Sequence, residues 1–282
     1  MKKIIFILVV SFLIGCTNNN KKTNEFSDKN EYYILRGINY LQVKDYVNAI
    51  KELETVYKKD NKNIVVMREL AYCYGEIGER EKAIQLYERV LLYEPKDEVA
   101  LKNLAYIHYL KGDYKSSKSY ISRVTGTKND IYLYKMKGYL SLSDSKYEDS
   151  YMWLSKALEI DEVYDGVFYR KYINLLKILS KKDEIYKLIE AKYPKYSKNR
   201  DYIIIYSTVM LEEFNESSKS ELAIKRYLVD NPKDSEMLLT LIEIKLKSGD
   251  YNKSRELLTF VNDEYKYDKR YLNIVDILDN NK

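Results

Sequence analysis

Residues 64–97 read IVVMRELAYCYGEIGEREKAIQLYERVLLYEPKD. Apolar residues recur at helical steps on both sides of Gly78, which predicts two amphipathic helices joined by a turn at that glycine. The small residues Ala71 and Ala83 let the two helices approach, and large ones such as Tyr87 fill the space between. Pro95 closes the stretch, because proline disfavours helix in the residue before it.

The same stretch recurs along the chain. Ala71 belongs to the series Gly37, Ala71, Ala105 and Gly138, at steps of 34, 34 and 33 residues. Ala49, Ala83, Ser117 and Ser150 repeat those steps, as do Tyr46, Arg80, Tyr114 and Tyr147. A fixed period of this length is the mark of a stacked array. Gly112-Asp113-Tyr114 and Gly249-Asp250-Tyr251 mark the turn within a unit. Pro95, Pro194 and Pro232 are each followed by lysine and set the phase, which places one register position at Asn61, Pro95, Asn129, Glu162, Pro194, Pro232 and Lys266.

The expected organisation is four regular units over 31–164, two degenerate units over 165–234 (165–202 and 203–234), and a seventh over 235–268. Units five and six lose the small residues in this phase, and 215–220 reads as a lengthened turn. Residues 269–282 form a final amphipathic helix and tail, with Tyr271, Ile274, Val275 and Leu278 at helical spacing. Such a helix caps an array whose units bury their faces only against neighbours.

Composition narrows the function. The 282 residues include 31 tyrosines but 9 glycines, 3 prolines, 2 cysteines and 1 histidine. Two cysteines and one histidine make neither a disulfide scaffold nor a paired-histidine metal site. So little glycine argues against a turn-rich sheet fold and a phosphate-cradling loop.

The period and its residues resemble the tetratricopeptide repeat. In 64–97, Ala71, Tyr74, Gly78, Ala83, Tyr87 and Pro95 stand at that family's small, aromatic, turn, small, aromatic and proline positions. The resemblance implies an all-α fold, a solenoid of about seven helical hairpins plus the C-terminal capping helix. It also implies a concave groove lined by the second, fifth, ninth, twelfth and thirteenth positions of each inner helix. Projected on this chain, the fifth positions are Arg68, Lys102 and Lys135 and the ninth are Tyr72, Tyr106 and Tyr139, with Tyr109 beside them. A cationic ladder alongside an aromatic one would suit a peptide carrying acidic and apolar side chains. The family's carboxylate clamp is only partly imitated, since Tyr72 stands where asparagine is expected and Tyr132 and Met136 replace the next basic pair.

The N-terminus carries a separate signal. Lys2 and Lys3 precede an apolar run from Ile4 to Ile14, too short to span a bilayer of about 30 Å as a helix, and the whole reads as a signal peptide over 1–15. Leu13-Ile14-Gly15-Cys16 resembles the lipobox of bacterial lipoproteins, which implies cleavage after Gly15 and acylation of Cys16. Residues 16–30 are then the lipidated cysteine and a flexible polar tether. Thr17, in place of an aspartate retention signal, favours the outer over the inner membrane. Removing Lys2 and Lys3 lowers the formal charge of +5 by two, too weak a field for nucleic acid.

No residue is singled out for catalysis. His108 stands at a packing position without a companion histidine, and Cys73 falls inside a packed unit. The expectation is a membrane-anchored scaffold that binds a protein or peptide partner in the cell envelope, with no enzymatic activity, cofactor, metal or small-molecule substrate. Two alternatives stand beside it: an envelope assembly lipoprotein, akin to a pilotin or a barrel-assembly accessory, and a cell-wall-acting enzyme or solute-binding lipoprotein.

Overall fold

A computed structural model describes residues 21–126, 130–160 and 164–281, with side chains from residue 29 onward. The predicted signal peptide and Cys16 lie outside the described residues, as do Asn129 and Glu162 of the predicted register. The described residues hold fifteen α-helices, a short 3-10 turn at Asp263–Tyr267, and no strand.

Two compact units divide the chain at Val163/Tyr164. The first contains α1 (Lys21–Gln42), α2 (Tyr46–Tyr57), α3 (Ile64–Glu76), α4 (Arg80–Tyr93), α5 (Glu98–Leu110), α6 (Tyr114–Arg123), α7 (Ile131–Ser143) and α8 (Tyr147–Ile160). The second contains α9 (Gly166–Ile178), α10 (Lys182–Tyr196), α11 (Arg200–Glu212), α12 (Ser217–Asp230), α13 (Ser235–Lys247), α14 (Tyr251–Leu258) and α15 (Lys269–Asp279). Seven helical hairpins and a terminal helix result, the all-α architecture that the period predicts.

Three local expectations are corrected. Helix α1 starts at Lys21, inside the segment expected to be a tether to residue 30. Extending a helix already nucleated by the first hairpin costs far less than starting one, so polar residues suffice to continue it. The boundary between hairpins five and six falls at Asn199, the N-cap of α11, three residues before the expected one. Pro194 misled the phase, for it lies inside α10 rather than beyond its end. Counted from helix starts at 64, 98, 131, 166, 200 and 235, the period is 33–35 residues throughout. The turn expected over 215–220 spans only 213–216, one residue longer than the three-residue turns elsewhere, and Ser217–Ser220 already belong to α12.

The hairpin turn is built the same way seven times. The residue two before each second helix has a positive φ: Lys44, Gly78, Gly112, Ser145, Ser180, Asn215 and Gly249, at 56–89°. Only three of the seven are glycine, the residue that adopts this left-handed conformation without a Cβ penalty. An aspartate or asparagine then caps most helices. Asp97, Asp130, Asp165, Asn199 and Asp234 each accept the backbone N–H three residues on, satisfying a donor that the helix leaves open.

Small residues form the seam between the two helices of a hairpin. Ala71, Ala83, Ala105, Ser117 and Ser150 are fully buried there. The serine hydroxyls are satisfied across the seam, Ser117 Oγ donating to Ala105 O at 2.7 Å and Ser150 Oγ to Gly138 O at 2.9 Å. In the corrected register, hairpin six also keeps small residues, Ser207 and Ser220, both buried. Hairpin five does not: Ile173 and Ile185 take those places, and α9 and α10 approach less closely than the helices of other hairpins.

Tyrosine fills the second unit beside this wider seam. The rings of Tyr164, Tyr169, Tyr196 and Tyr202 pack with centroids 5.3–6.4 Å apart, and Tyr206 joins through Tyr202. Such pairs add about 0.5–1.5 kcal/mol each beyond area burial. Their hydroxyls find acceptors: Tyr164 donates to Asp201 Oδ2 at 3.0 Å, Tyr206 to Glu190 Oε1 at 3.0 Å, and Tyr202 to Ile189 O.

Candidate partner-binding surface

The first helix of each hairpin carries the predicted binding residues. On α3, Arg68 Nη1 donates to Asp97 Oδ2 at 2.8 Å, and the Asp97 side chain is only 4 % exposed. Asp97 is the N-cap of α5, its other oxygen accepting from Ala100 N at 2.7 Å. One hairpin on, Lys102 Nζ lies 2.6 Å from Asp130 Oδ2, the N-cap of α7, and 3.4 Å from Glu98. Lys135 occupies the same helix position on α7 and is half-buried. The cations of Arg68 and Lys102 are thus directed at the next hairpin's cap. The arrangement explains their recurrence better than a ladder held ready for an acidic partner.

The aromatic residues also pack within the chain. Tyr72 meets the Tyr46 ring edge-on at 6.2 Å, and burial pushes its phenol above the ordinary tyrosine range. Tyr109 sits between Tyr114 and Tyr139, at 5.5 and 6.0 Å, and Tyr139 is buried. Tyr106 is half-buried. Tyr132 donates to Lys102 O at 2.7 Å. Val65 and Val99, at the second helix position, are exposed. This face of the first unit therefore presents partly covered tyrosines and two valines, with its Arg68 and Lys102 charges answered internally.

A groove of about 490 Å³ lies in the second unit, between α11, α13 and α15. Its walls use the same inner-helix positions: Ile204, Thr208, Leu211 and Glu212 at the fifth, ninth, twelfth and thirteenth places of α11, and Glu236, Glu243, Leu246 and Lys247 at the second, ninth, twelfth and thirteenth of α13. Helix α15 supplies the third wall through Asn273 and Ile277. It is docked by buried Ile274 and Leu278 and by Arg270, whose guanidinium donates to both Glu243 oxygens at 2.8 and 2.7 Å and to Thr240 Oγ1 at 3.0 Å. Arg255 donates to Leu278 O and Asn281 O at the far end of α15. Arg200 is held by Asp234 and Glu236, and hydrogen bonds to these two raise its pKa.

Projection from the sequence covered hairpins two to four and missed this groove. With the period counted from helix starts rather than from Pro194, the same projection reaches Ile204 and Thr208. Nothing in the sequence marks α15 as a wall, because a capping helix needs only its inner stripe.

The single histidine and the buried cysteine are packing residues. His108 Nδ1 lies 3.1 Å from Asp113 Oδ2, and its ring stacks on Tyr120. Cys73 is fully buried, and desolvation pushes its thiol up to about 12. Among the described residues no group of three or more histidine, cysteine or carboxylate side chains is placed to hold a metal ion.

Hairpins of this geometry, period and seam define a helical-repeat protein. Residues 40–105 match the tetratricopeptide repeat family, and the chain carries that repeat. A tetratricopeptide repeat protein of Parabacteroides merdae has a similar fold, with a TM-score of 0.57 and 14 % identity over 89 % of this chain and 98 % of that one. The tetratricopeptide repeat-containing protein trd-1 of Caenorhabditis elegans is 25 % identical over 34 % of this chain. The protein O-mannosyl-transferase TMTC3 of Homo sapiens is 21 % identical over 88 % of it. This chain spans 12 % and 28 % of the length of these two relatives.

Proposed function

We propose that this protein is a lipid-anchored scaffold of the cell envelope that holds a partner protein on the inner-helix faces of its hairpins, without catalysis of its own. The observation that carries the binding role is the groove between α11, α13 and α15, which is large enough to seat a peptide and lies on the inner-helix positions. The similarity to a mannosyl-transferase spans 28 % of that protein, so no transferase chemistry is carried over.

The anchoring rests on the sequence alone. Lys2, Lys3, the apolar run to Ile14 and Leu13-Ile14-Gly15-Cys16 favour acylation at Cys16, with the outer membrane as the destination. More than one acyl chain, each methylene contributing about 0.8 kcal/mol, would hold the protein durably. No helix of the described residues is long and apolar enough to cross a membrane.

Two measurements test the proposal. Labelled palmitate should enter the wild-type protein and not Cys16→Ser, which should leave the membrane fraction; unchanged labelling and fractionation would refute the anchor. A photo-crosslinking residue at Thr208 or Tyr106 in living cells should yield a reproducible protein adduct. Absence of an adduct from both positions would refute the scaffold.

A further inference from the structure

We infer that the outer face of α1 lies against the lipid surface that holds the anchor, so that the bilayer covers the open end of the first unit. The inference rests on the anchoring reading above and adds to it a second, non-covalent contact with the membrane.

The repeat itself shows that this face is open. Tyr32 and Asn39 on α1 correspond, at steps of 34, 34 and 33 residues, to Val66, Ala100 and Leu133 and to Cys73, Ile107 and Leu140. All six counterparts are buried, whereas Tyr32 and Asn39 are exposed. The difference is one of neighbours: a hairpin precedes α3, α5 and α7, and among the described residues none precedes α1. Leu35 lies on the same stripe, and Val43, whose N–H still donates to Asn39 O, continues it past the end of the helix. Tyr32, Leu35 and Val43 are 55, 49 and 73 % exposed.

The chain leading into α1 decides what covers this face. Five residue steps join Cys16 to Lys21, the first residue of α1, a reach of at most about 18 Å in any conformation. Tyr32 lies eleven helical residues further on, about 16 Å along the axis. A helix tied so closely to acyl chains can lie along the bilayer, with hairpins two to four on its other side. The charges of the face do not oppose this: Lys29 offsets Glu31, and buried Glu52 holds Arg36 at 3.1 Å. With its charges balanced, the face meets lipid through its apolar groups. Tyr32, with the Arg36 guanidinium over its ring at 5.5 Å, combines an apolar body with polar tips, the character favoured at the headgroup level. Three apolar side chains suffice because the anchor makes the contact intramolecular, at an effective concentration of about millimolar order.

Tryptophan quenching by brominated phosphatidylcholine vesicles tests the contact. Trp153 is the one tryptophan of the chain, so reporters are placed in Trp153→Phe. Leu35→Trp and Val43→Trp should each lose fluorescence at least twofold on anchoring, and Met152→Trp, exposed on α8 of the fourth hairpin, should keep it. Tyr32→Glu with Val43→Glu should abolish quenching of Leu35→Trp while the vesicle-bound fraction stays unchanged. A blue-shifted but unquenched Leu35→Trp would mean that a second copy covers the face, and an unshifted, unquenched one that water does. Either result, or equal quenching of Met152→Trp, would overturn the inference. The chain is attached in two ways: acylated as made in cells, and unacylated from residue 16 with Cys16 coupled to a maleimide-bearing lipid, which buried Cys73 does not meet. Quenching of the coupled chain, with no acylation in cells, would remove the natural anchor and keep the affinity of α1 for lipid. Acylation without quenching would remove this inference and keep the anchor.

Discussion

The Arg68 guanidinium binds Asp97 at 2.8 Å, 29 residues further along the chain, on the carboxylate that caps the first helix of the next hairpin. Lys102 with Asp130 repeats the relationship one hairpin later, and Arg200 with Asp234 repeats it in the second unit. Each such pair ties a side chain of one hairpin to the start of the next, so the contact between neighbours is directional as well as apolar.

Removing the cation should therefore damage the fold. Arg68→Ala leaves Asp97, 4 % exposed at its side chain, without its partner, and should cost about 2–3 kcal/mol. Asp97→Asn keeps an oxygen to cap Ala100 N and loses only the charge, so its cost should be smaller, about 1–2 kcal/mol. Urea denaturation of the two variants checks the order. Arg68→Glu, a natural choice for probing a cationic binding face, should lower stability before it reports on any ligand.

Acid should release the same kind of tie in the second unit. Burial disfavours the charge on Asp234, but hydrogen bonds from Arg200 and from the Met237 amide outweigh it and hold the carboxyl below its ordinary range. A depressed carboxyl contributes stability that is complete above the unfolded aspartate value of about 3.9 and is lost as pH falls through the lower folded value. Thermal melts from pH 6 to 2 should show a steeper acid limb for the wild type than for Asp234→Asn.

The thiol of Cys73 gives a direct readout of opening in the first unit. It is fully buried, with desolvation pushing it up to about 12, so neither access nor thiolate is available at pH 8. A disulfide reagent should label Cys73 in urea and leave it unlabelled in the native state. Rapid native labelling would show that α3 and α4 separate under native conditions.

The fold was legible in residues that serve packing, and less so where packing used other means. Gly37, Ala71, Ala105 and Gly138 revealed the period because the seam there admits only small side chains. Hairpin five was opaque because Ile173 and Ile185 hold its helices apart and a tyrosine cluster fills the gap, which leaves no small-residue signature. Pro194 carried a false phase because proline ends a helix only by tendency, and here it sits within the last turn of α10. For the site, spacing placed Arg68 and Lys102 on inner helices but could not show where their charges go. That depends on aspartates about thirty residues away, which the sequence presents simply as helix caps.

The left-handed turns offer a stabilisation test. Ser145 and Ser180 have φ values of 57° and 56°, where Gly112 and Gly249 stand in sister hairpins. Replacing either serine by glycine removes the Cβ strain at a cost in unfolded-state entropy, and the balance should favour the variant by about 0.5–1 kcal/mol. A rise in melting temperature for Ser145→Gly and Ser180→Gly is expected. A fall would mean that the two serines adopt this conformation without strain.

Glycine inside the helices should behave in two opposite ways, and the contrast tests the seam. A Cβ built on Gly138 would lie 2.3 Å from Leu154 Cδ2 and 2.5 Å from its Cγ, and Leu154 is fully buried with little room to turn. On Gly75 the nearest atom would be Ala83 Cβ at 4.0 Å, an ordinary contact. Alanine gains up to about 1 kcal/mol over glycine in a helix interior, less near an end. That gain acts unopposed at Gly75, near the end of α3, so Gly75→Ala should stabilise by about 0.5 kcal/mol. At Gly138 it is set against overpacking of about 1–3 kcal/mol, so Gly138→Ala should destabilise. Gly138→Ala combined with Leu154→Val should recover part of that loss, since the second change withdraws atoms from the clash, and the energies of the two changes should not add. Additive losses in the urea midpoints of the two single variants and the double variant would mean that α7 and α8 had separated to admit the new methyl, and that the small residue at this position does not set their approach.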